Sequence, residues 1–257
     1  MRHRLVIPLL VALLSLAFGT VSSAEVEQVR NLRVSFDADF SPHKLPRQRP
    51  APVKVEIQGR IAMTDGTHPP ALRWLEVELH RSGRVFSRGL PVCSAPDLQS
   101  TSTEAALARC RPALVGRGSF RADVRLGREI PATGRILAFN SRLRGKPALL
   151  LHFFASVPVR FTLVVPLVIG HRQRGQFGTV LRAKIPKIGA GFGSITEIDL
   201  AIARRYRFQG LRRSYISAAC SAPAGLSGAV FPFARASLRF ASHPEIRTTL
   251  VRDCTVR

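Results

Sequence analysis

The chain has 257 residues, with 39 Lys and Arg against 16 Asp and Glu, a formal net charge of +23. Apolar residues make up 46% and the mean hydropathy is +0.09, which excludes an intrinsically disordered chain and leaves ample material for a core. Four Cys in this length exclude a small disulfide-dense scaffold.

The N-terminus reads as an export signal. Arg2, His3 and Arg4 form a basic start, Leu5 to Phe18 is almost wholly apolar, and Ser22 and Ala24 are small residues at the −3 and −1 positions of a cleavage site. The apolar run is short for a spanning helix, which needs about 20 residues. The expectation is a signal peptide over residues 1–24, followed by one β-rich domain over residues 25–257, secreted or held in the cell envelope.

Residues 32–40 alternate strictly, with Leu32, Val34, Phe36, Ala38 and Phe40 on one face and Arg33, Ser35, Asp37 and Asp39 on the other, as in a half-buried strand. Residues 41–52 carry four Pro and read as a loop. Alternation resumes over 53–63, where Gly59 marks a bulge or bend. Residues 64–70 turn the chain. Residues 72–79 set Leu75, Val77 and Leu79 inward and Trp74, Glu76 and Glu78 outward, and a further strand is expected at 85–90. One short helix is predicted over 98–110, where Thr101 and Glu104 have capping-box spacing. Strands are then predicted at 113–126, 134–140, 147–155, 159–169, 177–186, 194–206, 213–219, 228–240 and 247–254. Residues 147–170 are long and apolar enough to suggest a membrane span, but Pro147, His152, Pro158, Arg160 and Pro166 argue for two buried strands joined near Ser156–Pro158. This pattern predicts an all-β fold, first as a two-sheet β-sandwich and second as a curved open barrel.

Cys93 and Cys110 bracket one local unit, and Cys220 and Cys254 another. In an oxidising compartment these spacings favour the disulfides Cys93–Cys110 and Cys220–Cys254 among three pairings. No CxxC, HxH or HExxH occurs, so neither a metal nor a cofactor is expected. Cys-Ser-Ala-Pro appears at 93–96 and again at 220–223, which hints at a repeated strand–Cys–turn unit.

Gly189-Ala190-Gly191-Phe192-Gly193 resembles a phosphate loop, but an alternating stretch follows where that motif requires a helix, so it reads as a hairpin loop. Three acidic pairs have strand spacing: Asp37/Asp39, Glu76/Glu78 and Glu197/Asp199. Paired carboxylates can do acid–base work, yet a solvated face balanced by cross-strand Arg is the simpler reading. Trp74 beside Glu76 and Glu78 marks a candidate sugar or cation surface. No GxSxG or SxxK is present, and no catalytic residues are assigned.

Arg204, Arg205, Arg207, Arg212 and Arg213, interleaved with aromatics, and Arg172 and Arg174 in a basic loop are the candidate ligand-binding residues. Nucleic acid is disfavoured for a secreted protein; an anionic envelope polymer or lipid surface fits better. The segments LPVC93, ALVGRGSF, GRILAFN, PALLLH, AKIPKIGAGFGSIT and SAAC220 together resemble secreted proteins of high-GC actinobacterial lineages with no assigned function. That resemblance implies neither catalytic residues nor a ligand. The functional expectation is non-enzymatic binding of an anionic envelope polymer, a lipid or another apolar ligand; the alternative is an envelope hydrolase with a spatially assembled site.

Overall fold

The computed structural model describes residues 24–126, 128–158, 160–188 and 193–257. The expected signal sequence, apart from Ala24, and residues 189–192 of the glycine-rich loop lie outside the described residues.

Alternating runs become strands because one face of each is apolar and must find a layer to pack against. The first are β1 (Glu25–Val29), β2 (Leu32–Ser41), β3 (Lys44–Leu45), β4 (Ala51–Pro52), β5 (Lys54–Met63), β6 (Leu72–His80) and β7 (Gly83–Val85). Helices α1 (Ala95–Leu98) and α2 (Thr103–Cys110) follow. Then come β8 (Leu114–Leu126), β9 (Arg128–Leu143), β10 (Lys146–Ala155), β11 (Phe161–His171), β12 (Phe177–Lys184), β13 (Gly193–Ile202), β14 (Arg205–Phe208), β15 (Leu211–Ser214), β16 (Ile216–Ala218), β17 (Gly228–Phe240) and β18 (Ile246–Val256).

Thirteen strands form one sheet in the order β1-β2-β5-β13-β8-β9-β10-β11-β12-β6-β17-β18-β3. This sheet curls into a half-barrel, the curved member of the two expected architectures. Glycines explain the curl. A Cβ on Gly118 of β8 would lie 1.9 Å from the Asp199 carbonyl oxygen of β13, and one on Gly134 of β9 would lie 2.2 Å from the Phe154 carbonyl oxygen of β10. Only glycine lets neighbouring backbones approach this closely, and glycine positions of this kind are where a sheet can be bent.

The hydrogen-bonded ladder ends at β3, which follows β2 in the chain and pairs with β18, where the Thr255 amide donates to the His43 carbonyl; along the rest of the gap between β2 and β18 side chains form the bridge. The buried Arg252 of β18 pairs with Asp37, and its Nε lies 3.7 Å from Asp39. His43 Nε2 lies 3.3 Å from Asp39 Oδ2, and its Nδ1 3.0 Å from the Asp253 carbonyl. Phe40 of β2 packs on Phe231 and Phe233 of β17, with ring centroids 6.1 and 5.1 Å apart.

Residues 147–170 form the antiparallel pair β10–β11, from Ala148 opposite Val168 to Ala155 opposite Phe161. No helix among the described residues is long and apolar enough to cross a membrane. The helices lie on the convex side, where Leu98, Ala106, Leu137, Phe139 and Leu150 form a second, smaller core. Cys93–Cys110 staples this unit, with Cα atoms 5.5 Å apart, and Cys220–Cys254 ties the segment after β16 to β18, with Cα atoms 5.7 Å apart. Loops of 17 and 34 residues are worth about 3 and about 4 kcal/mol in the chain-entropy description.

The single helix expected over 98–110 is two: α1 ends at Leu98, and α2 begins at Thr103 with a different cap. Ser102, not Thr101, caps α2 by accepting from the Ala105 amide, because Thr101 is buried and bonds Leu98 and His152 instead. Ser94 and Asp97 form the capping box, on α1. The two Cys-Ser-Ala-Pro segments therefore differ in role: the first starts a helix, while the second leads into a turn. The strand expected at 85–90 ends at Val85, and the run expected over 194–206 breaks at Ala203–Arg204, where the chain leaves the large sheet for the β14–β15 hairpin.

Candidate functional site

The inward faces of the curled sheet enclose a cavity of about 210 Å³. Its wall comes from the strand faces read as apolar in sequence: Phe36 and Ala38 of β2, Leu75, Val77 and Leu79 of β6, Leu149 and Phe153 of β10, Val165 and Leu167 of β11. One end is capped by a separate three-stranded sheet, β4-β16-β7, whose Val85, Ile216 and Ala218 face the cavity. Ile61, Leu72, Ile185 and Ile188 line the opposite end, together with Arg60 and Glu197.

Polar groups in this lining are few. His80 and Ser82 lie beside the cap, with the Ser82 hydroxyl 2.8 Å from His80 Nδ1; burial first, and then Arg81, pushes the His80 pKa down. Tyr215 is buried, its hydroxyl has no hydrogen-bond partner among the described residues, and burial pushes its pKa up. Ser194 donates to the Pro69 carbonyl at 2.8 Å.

Of the six acids in the three pairs, five are spent on arginine or histidine. Arg172 lies 3.0 Å from both Glu76 and Glu78, Arg182 2.7 Å from Glu76, and Arg235 2.6 Å from the buried Glu78. Trp74 shares this convex network, half-buried, and faces away from the cavity. Glu197 pairs with Arg60 at 3.0 Å and Arg121 at 3.6 Å, while Asp199 is exposed. Among the described residues, no serine, histidine and carboxylate stand within mutual hydrogen-bond reach. His80 has its serine but no acid, and His68 has Glu129 at 2.8 Å but no serine. The grouping of Cys93, Asp97 and Cys110 has both sulfurs in a disulfide and so offers a metal one carboxylate.

The arginines singled out from sequence divide. Arg172, Arg212 and Arg213 line one surface pocket with Arg81 and Arg84, which the sequence reading missed. Arg205 and Arg207 are exposed on the β14–β15 hairpin outside that pocket, Arg174 is exposed in the loop after β11, and Arg204 is half-buried. The signal for Arg81 and Arg84 was present: no acid stands between Glu78 and Asp97.

Comparison of the chain with protein-family models, with curated proteins and with solved structures gave no match.

Proposed function

We propose that this protein is an extracytoplasmic binding protein that holds a slender apolar ligand, such as a single hydrocarbon chain or a small ring system, inside its half-barrel. The cavity carries this reading. Its lining is almost wholly apolar, and apolar surface removed from water is worth about 25 cal/mol per Å², so an apolar occupant gains from covering it. In the same kind of measure as the 210 Å³ of this cavity, an apolar cavity of about 150 Å³ accepts benzene. The lining supplies burial and little hydrogen bonding, which suits an alkyl chain and not a sugar or peptide. Glu197, at the end of the lining opposite the cap, is paired with Arg60 and Arg121, and Glu76 and Glu78 face arginines on the convex side, which leaves the hydrolase alternative without an assembled site among the described residues. The two disulfides and the basic, apolar N-terminal segment support an oxidising, exported location.

The test is displacement of an environment-sensitive naphthylamine dye by fatty acids or alkanols, with organic extraction and mass spectrometry of the purified protein. Val77→Trp, which places bulk in the cavity, should lower dye affinity at least tenfold while the far-ultraviolet circular dichroism stays unchanged. A protein that binds no apolar dye and carries no extractable ligand would overturn the reading.

A further inference from the structure

The three-stranded cap has two faces, and the second carries its own chemistry. Pairing sets Arg84 opposite Ser217 and Ser217 opposite Pro52, so these residues point away from the cavity that Val85, Ile216 and Ala218 line. Over this outer face lies a pocket of about 580 Å³ bounded by Arg81, Arg84, Arg212 and Arg213, with His171 and Arg172 at its side and no carboxylate in its lining. Arg172 is committed to Glu76 and Glu78. The other four arginines form no ion pair with any described residue, although carboxylates elsewhere on the convex surface draw several arginines at once.

Two details show that this positive charge is held against local preference. On the β14–β15 hairpin, Arg212 stands directly opposite Arg207, a like-charge pairing that costs stability in an antiparallel ladder. Arg213, opposite Tyr206, is half-buried, with its guanidinium 5.3 Å over the Phe86 ring and a buried Nε that has no acceptor. A buried donor without an acceptor is a standing cost that an incoming anion removes. The sequence adds no counter-charge nearby, since no acid occurs between Asp199 and Glu245.

We infer that the outer face of the cap is a binding site for a phosphate-type oxyanion, a phosphate monoester or diester, held by Arg81, Arg84, Arg212 and Arg213. Guanidinium groups meet phosphate oxygens through paired N–H donors, so several arginines lining one pocket recognise phosphate in a way that diffuse charge does not. The site is one sheet thickness from the apolar cavity and does not depend on what that cavity holds.

The full chain is titrated with glycerol phosphate, and separately with phosphatidylcholine vesicles with and without phosphatidylglycerol, at about 0.15 M salt, where long-range attraction is screened beyond about 8 Å. The variant Arg84→Gln/Arg212→Gln/Arg213→Gln is compared with Arg117→Gln/Arg125→Gln/Arg142→Gln, which removes the same charge outside the pocket. The pocket variant should lose at least tenfold in affinity and the control less than threefold. Binding of glycerol phosphate that follows this pattern assigns the site to free phosphate esters; the same pattern with phosphatidylglycerol vesicles alone assigns it to a lipid head group. Equal losses in both variants, or no binding by the parent protein to either probe, would overturn the inference. An Arg213→Lys variant keeps the charge and loses the planar fork, and should also weaken binding if recognition is by guanidinium.

Discussion

Replacing Gly118 by Ala tests the cause of the curl most directly. The added Cβ would sit 1.9 Å from the Asp199 carbonyl oxygen and 2.9 Å from the Leu200 Cα, while real Cβ contacts essentially never fall below 3.0 Å. Relief requires β8 and β13 to move apart by about 1 Å at a point where Ser119 pairs with Asp199 and Gly118 with Leu200. Forcing bulk into packed structure costs about 1–3 kcal/mol, and here backbone must yield, so about 3 kcal/mol of destabilisation is expected. The gain from a stiffer unfolded chain, about 0.4–1 kcal/mol, offsets only part of it. Gly170→Ala is the matched control: it lies in β11 and its Cβ would meet nothing closer than Arg182 Nη1 at 3.8 Å. That variant should be neutral or slightly stabilised. Urea denaturation followed by fluorescence reads both, provided the slope with denaturant is unchanged. If Gly118→Ala were as stable as Gly170→Ala, close approach at Gly118 would not be what shapes the sheet.

Two further outcomes follow from buried charge. Changing Asp37 and Asp39 together to Asn leaves the buried Arg252 without its carboxylates and should cost about 2 kcal/mol, below the 3–5 kcal/mol of a fully buried pair because both acids are partly exposed; thermal melts set against the exposed control Glu56→Gln check this. His152 is fully buried, with Nε2 3.1 Å from the Thr101 carbonyl and no partner for Nδ1 among the described residues, and burial pushes its pKa below 6.5. The unfolded chain therefore binds this proton more readily, so its contribution to stability is complete above pH 6.5 and is lost as pH falls through the lower folded value. Denaturation midpoints from pH 8 to pH 5 should decline less in His152→Gln than in the parent; parallel declines would remove His152 from the account.

Much of the fold was legible because periodicity reports which face is buried. Leu32, Val34, Phe36, Ala38 and Phe40 are all buried in β2, as their spacing required, and β17 runs over Gly228–Phe240 as read. The Glu76/Glu78 face was also legible as arginine-balanced. The unread parts have physical reasons. Alternation says that a strand has an inside but not whether the inside is a second sheet or the far wall of the same one, and Gly118 and Gly134 decide that through neighbours distant in sequence. A cavity is a property of ten strands together and leaves no mark on any one of them. The pocket over the cap joins Arg81 and Arg84 to Arg212 and Arg213 across more than a hundred residues, so a scan for local basic clusters found only the latter half.

A barrel zipped by backbone hydrogen bonds around its whole circumference has a radius fixed by strand number and stagger, and it can change size only in whole-residue steps. The junction of β2 with β18 is not of that kind. At one end β3 pairs with β18 and the Thr255 amide donates to the His43 carbonyl at 3.1 Å; along the rest of the junction Arg252 and His43 span it with side chains, whose rotamers adjust continuously. The girth of this molecule is therefore fixed by pairing at the β3 end and adjustable along the rest of the junction. Small changes of angle among these side chains can widen or narrow the interior away from that end while the β3–β18 pairing holds, so the proposed apolar guest would not have to match one fixed width.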